Sequence, residues 1–101
     1  MDEDFDAAEL WPVEPSLEVE ELLVAAPDSL HHAVLAVQLR LMRDPWDPAS
    51  ASIGRDPHSR DIPLEGHAAL LEYEIVPGPH RHVVITAVQW WHTDIEGGNP
   101  F

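Results

Sequence analysis

A chain of 101 residues, 45% of them apolar, can build one core of modest size and is too apolar to remain unfolded. It has no cysteine, which excludes disulfides, thiolate catalysis and cysteine-type zinc sites together. Its formal charge of −14 comes mostly from residues 1–21, with nine acids and no base, whereas residues 22–93 hold eight acids against five arginines.

A net negative surface repels phosphate and gains nothing from counterion release, so general nucleic-acid binding is disfavoured. Lysine is absent altogether. No apolar run approaches the roughly 20 residues of a spanning helix. Met1-Asp2-Glu3-Asp4 is acidic where a secretory leader is basic. These features predict a soluble cytoplasmic domain without membrane contact.

Residues 1–9 are highly charged and lack periodicity, which predicts a flexible acidic arm. Residues 10–14, Leu-Trp-Pro-Val-Glu, alternate apolar and polar and predict a short first strand. Pro12 suits an edge or a strand start, where a missing N–H costs no ladder bond. Ser16 is placed to cap a first helix, in which Val19, Leu22, Leu23 and Ala26 make one apolar stripe. Glu18, Glu20 and Glu21 crowd its first turns, where the helix dipole favours negative charge. Pro27 ends it.

Asp28 or Ser29 then caps a second helix over residues 30–43. Leu30, Val34, Val37 and Leu41 form its stripe, widened by Ala33, Leu35, Leu39 and Met42. Arg40 and Arg43 complement its C-terminal end. With only Pro27 and its neighbours between them, the two helices predict a hairpin lying on a sheet. Residues 45–59, rich in Pro, Asp, Ser and Gly, predict a long loop with Trp46 tucked back as an anchor.

Three strands follow, over residues 60–64, 69–76 and 82–91. They are joined through Glu65-Gly66-His67 and Pro77-Gly78-Pro79, the second a turn in which Gly takes positive φ cheaply. Strands this close in sequence pair most easily as an antiparallel meander. Residues 93–101 read as a tail. The expectation is an α+β domain over residues 10–92, ordered β-α-α-β-β-β, with a small antiparallel sheet covered on one face by a two-helix hairpin.

That order carries a helix ending Leu-x-x-Ala-Val-x-x-Gln-Leu-x-x-Met-x-x-Asp-Pro, running from Leu30 to Pro45. It continues with Gly66, Glu72-Tyr73-Glu74-Ile75 and the strand Val83-Val84-Ile85-Thr86-Ala87-Val88. It resembles the RelE/ParE superfamily of type II toxin–antitoxin toxins over about residues 10–92. The resemblance implies a small toxin that cleaves ribosome-bound mRNA or poisons gyrase, held inactive by an antitoxin wrapped on its sheet and helices. It also implies metal-independent chemistry if RNA is cut. Members usually carry an arginine two or three residues before the Tyr-x-Ile signature, and here Leu70 and Leu71 stand there. They are also generally basic, and RNA cleavage needs cations to hold the scissile phosphate. The alternative from a different class is a non-enzymatic acidic module on the same fold that binds a basic protein.

Arg60 and Arg81, at strand starts, and His92, at a strand end, are the candidate catalytic residues. His92 lies near where ribonucleases resembling this fold place a general acid, and an imidazole suits proton transfer. Trp46, Tyr73, Trp90 and Trp91 are the candidate partner-binding residues, since buried aromatic anchors dominate protein interfaces. Trp90 and Trp91 are neighbours on one strand and must face opposite sides. His80 and His82 share a strand face, and with His67 or His92 they raise the question of a metal. The residues after His82 are apolar and add no ligand, so no metal and no cofactor is expected. His31 and His32 are adjacent on a helix, about 100° apart, and chelate poorly. Glu72 and Glu74 read as a solvated outer face of the sheet.

Overall fold

The computed structural model describes residues 10–90. The expected arm over residues 1–9, the expected tail over residues 93–101, and Trp91 and His92 lie outside the described residues. In chain order the elements are β1 (Val13–Pro15), α1 (Leu17–Val24), α2 (Asp28–Arg43), β2 (Ala51–Ile53), β3 (Asp56–Pro63), β4 (Ala69–Val76) and β5 (His82–Trp90). They make an α+β fold around one sheet ordered β1-β5-β4-β3-β2.

The sheet departs from expectation twice. It has five strands, not four, because β2 and the first residues of β3 occupy the stretch read as loop. It is also mixed: β2 to β5 pair antiparallel, but β1 runs parallel to β5, with Val13 opposite Val83 and Pro15 opposite Ile85. β1 lies beside the last strand, so no tight turn joins the pair and nothing forces them antiparallel.

Side-chain alternation decides which face is buried. On β4, Ala69, Leu71, Tyr73 and Ile75 point inward, while Leu70, Glu72, Glu74 and Val76 point outward. On β5 the inward run is Val83, Ile85 and then Val88, because Thr86 is an extra residue. Glu72 faces Ala87 and Tyr73 faces Ile85, so a bulge at Thr86 flips the phase. Without it, Val88 would turn to the solvent.

Both helices close the inward face. Ser16 caps α1 as predicted, its Oγ accepting the Val19 N–H at 3.3 Å. Val19 is buried, and Leu22, Leu23 and Ala26 pack against the core. α2 starts two residues earlier than predicted, with Pro27 in the capping position and no side-chain cap. Asp28 is therefore not the cap but the first helical residue, where its charge meets the positive end of the dipole. A hydrogen bond between His31 Nε2 and the Leu23 carbonyl ties the helices together. Leu30, Val34, Val37 and Leu41 are buried along the predicted stripe. Leu35 and Leu39 do not widen it: they are 54% and 62% exposed, well round the helix from Leu41. Among the described residues, no helix is long and apolar enough to cross a membrane.

Candidate functional site

The two candidate arginines do not converge. Arg60 stands on β3 opposite Tyr73, whereas Arg81 precedes β5, four residues from Tyr73's other neighbour, Ile85. At about 3.3 Å per residue, that is roughly 13 Å along the strands, with two strand spacings across. The Arg81 guanidinium lies 4.7 Å from the centre of the Trp11 ring, and its Nη2 reaches the Leu10 carbonyl at 3.5 Å. It thus belongs to the β1 edge. A single phosphate does not span the two groups in this arrangement, and the third member, His92, lies outside the described residues.

Arg60 is directed at its own chain. Nε donates to Ser50 Oγ at 2.8 Å, Nη1 to the Pro57 carbonyl at 3.1 Å and Nη2 to the Ser50 carbonyl at 3.3 Å. Its guanidinium also lies 5.3 Å from the centre of the Trp46 ring, which meets His58 edge-on at 5.4 Å between centroids. The segment it grips is held from other sides as well. Tyr73 Oη donates to the Pro45 carbonyl at 2.6 Å. Arg40 grips Asp47 through two bonds of 3.2 and 3.0 Å. Ser50 Oγ donates to the Asp47 carbonyl at 2.7 Å. What composition presents as a loose loop is a latch fastened to α2, β3 and β4.

A repeated local device shapes this latch and the β2–β3 hairpin. Three Asp-Pro-x triplets occur, at Asp44-Pro45-Trp46, Asp47-Pro48-Ala49 and Asp56-Pro57-His58. In each, the Asp Oδ1 accepts the N–H two residues on, at 3.0, 2.8 and 2.9 Å respectively. Proline fixes φ between the two, and the carboxylate completes the turn. Burial pushes the Asp47 carboxyl up, yet the Ala49 N–H and the Arg40 guanidinium together hold it below its ordinary value. The His58 N–H likewise keeps the Asp56 carboxyl low. Asp47, Ser50, Arg40 and His58 are the residues that composition alone passes over; the triplet repeat is a signal for Asp47 and His58, whereas no sequence pattern singles out Arg40 or Ser50.

The aromatic candidates separate by burial. Tyr73 is 1% exposed and cannot anchor a partner, which corrects the expectation; its place on the inward phase of β4 puts it in the core. Burial raises its phenol pKa above the ordinary value, opposed by the neighbouring Ser50 and Arg60. Trp90 is half-buried and packs on the core, and Trp91 lies outside the described residues. Trp46 is 42% exposed at the latch and remains a surface indole.

The histidines are spread out. His82 Nδ1 lies 2.8 Å from the His80 carbonyl at one end of β4, beside Val76, while His67 precedes the other end. The seven residues between the ends of β4 put His67 roughly 20 Å or more from His82. Among the described residues, no group of three or more His, Cys, Asp or Glu is placed to hold a metal ion.

The outward face of the sheet carries a cluster of like charge. Registers place Glu14, Val84, Glu74 and Ser59 in one row across β1, β5, β4 and β3. The next row is Ala87, Glu72, Asp61 and Ala51, across β5 to β2. Gln89 Nε2 donates to Glu72 Oε2 at 2.6 Å, steadying that carboxylate. Four carboxylates thus stand on a surface to which no strand contributes an arginine. Neither a protein-family model, nor a curated protein, nor a solved structure matches the chain, so what the site can do rests on its own geometry.

Proposed function

We propose that this protein is a toxin-like component of a type II toxin–antitoxin pair, on a RelE/ParE-like fold, that acts by binding a protein target. Support for the family comes from part of the element order, since β2 is one strand more than the expected β-α-α-β-β-β order holds. One strand and two consecutive helices precede the meander, and the resembling segments fall on α2, the β3–β4 turn and β4. The observation that carries the mode of action is the outward sheet face, with Glu14, Asp61, Glu72 and Glu74 and no arginine among its strand residues. Such a face repels the mRNA backbone and attracts cationic side chains. Arg60, one of the two candidate arginines for holding a phosphate, is engaged by Ser50 and Trp46. The antitoxin, or another basic protein partner, occupies the acidic face in this reading.

Induced expression in a bacterial host, with primer extension on total mRNA, tests it. Growth slows while ribosome-bound transcripts stay intact. Cuts in those transcripts that vanish in Arg60→Ala, Arg81→Ala or His92→Ala overturn the proposal and restore the ribonuclease. The same carboxylates also favour a second reading, a non-enzymatic acidic module on this fold. Unaffected growth together with binding of an arginine-rich peptide selects it.

A further inference from the structure

The side of α2 that faces away from the core is not the polar surface that amphipathic helices present. Asp28, His32, Leu35, Ala36, Leu39 and Arg43 are all exposed there, along two overlapping rows of three- and four-residue steps, 28–32–35–39 and 32–36–39–43. Leu35 and Leu39 are more than half exposed. The stripe is acidic at its N-terminal end, apolar in the middle and basic at its C-terminal end. An open groove of about 580 Å³ runs along its flank, lined by His32, Ala33, Ala36 and Val37 on the helix and by Glu65 and His67 across from them. The groove shares His32 and Ala36 with the stripe, and its lining also includes Ser29 and Arg40.

We infer that this face is a homodimer interface, in which two copies pack α2 against α2, antiparallel, about a two-fold axis between Leu35 and Ala36. The charge order selects the occupant and its direction. About that axis Asp28 meets Arg43 of the second copy, His32 meets Leu39 and Leu35 meets Ala36, so every position finds a complement. A parallel pairing would set Asp28 on Asp28 and Arg43 on Arg43. Antiparallel packing also opposes the helix dipoles. Leu39 of each copy lies over His32 and Ala36 of the other, at the lip of the groove, which has room for it. This is the self-complementary patch that a two-fold interface requires. A contact built on one helix per copy covers less than the roughly 800 Å² per partner of a stable interface, so the dimer is reversible and depends on concentration.

Sedimentation equilibrium of the full chain at physiological salt, carried into the millimolar range, reads this directly. A monomer–dimer equilibrium appears, and Leu39→Asp abolishes it with an unchanged far-ultraviolet dichroism spectrum. Asp28→Arg or Arg43→Asp alone each weakens association about fivefold, since each alters two symmetric surface ion pairs. The double swap Asp28→Arg/Arg43→Asp restores it. A chain that stays monomeric throughout overturns the proposal, as does a dimer indifferent to Leu39→Asp. Failure of the double swap to rescue overturns the antiparallel pairing.

Discussion

Arg60 and Tyr73 face each other across β3 and β4, and both hold the segment between α2 and β2. Tyr73 is the chain's sole tyrosine, so tyrosinate absorbance reports on it alone. Its raised pKa makes the neutral phenol the folded form: the stabilisation is complete below the unfolded value and is lost as pH climbs through the folded one. We predict a titration midpoint above that of free tyrosine, dropping to the ordinary value in denaturant. Tyr73→Phe leaves the Pro45 carbonyl without its donor and costs about 1–2 kcal/mol by urea denaturation. Asp47 has the opposite sign. Its depressed folded pKa means the Arg40–Asp47 contact is fully stabilising above the ordinary carboxylate range and is lost as pH falls through the lower, folded value. Melting temperature measured down the acid limb therefore falls less steeply in Asp47→Asn than in the parent.

At the level of elements, α2 shows two apolar stripes with different fates. Val34 and Leu41 are buried in the core, and Leu41→Ala costs about 2–5 kcal/mol through lost contacts and a cavity, with Val34→Ala costing less because it removes fewer methyl groups. Leu35→Ala and Leu39→Ala leave monomer stability within about 0.5 kcal/mol, because their side chains stay in water on folding. Chemical denaturation of dilute protein separates the two sets. Periodicity alone assigned all of these leucines to one core, since apolar content fixes a helix but not how much of its circumference is covered. The strands of the meander were legible for a simpler reason: β4 alternates apolar and polar from Leu71 to Ile75, flanked by further apolar residues. β2 was not legible. Ala51-Ser52-Ile53 is short, its neighbours Gly54, Asp56 and Pro57 are turn residues, and its pairing with β3 is fixed by the hairpin more than by side-chain pattern. The Thr86 bulge is likewise invisible in a run of β-branched residues, yet it decides that Val88 faces the core.

Over the described residues, the outward sheet face gathers carboxylates while the strands place no arginine there. Among the described residues, the helices and inward strands enclose a core of fourteen buried apolar side chains, and within it nearly every inward position of β4 and β5 is filled. The latch absorbs Arg40 and Arg60, Arg81 packs on Trp11, and the outward sheet is left to carboxylates. The candidate site was legible in part. Sequence identified Glu72 and Glu74 as an outer face and Trp46 as an anchored indole, but it grouped Arg60 with Arg81 because strand ends look alike until register sets them apart. In the proposed reading this surface binds cationic side chains through their charge, so reversing its charge is predicted to abolish the action while leaving the fold intact.

The most direct measurement is growth after induction of the parent chain beside Glu72→Arg/Glu74→Arg, with both proteins checked for equal melting temperature. The account predicts that the parent slows growth and that the reversal on the outward face relieves it. Arrest that persists in the double variant but disappears in Arg81→Ala would contradict it.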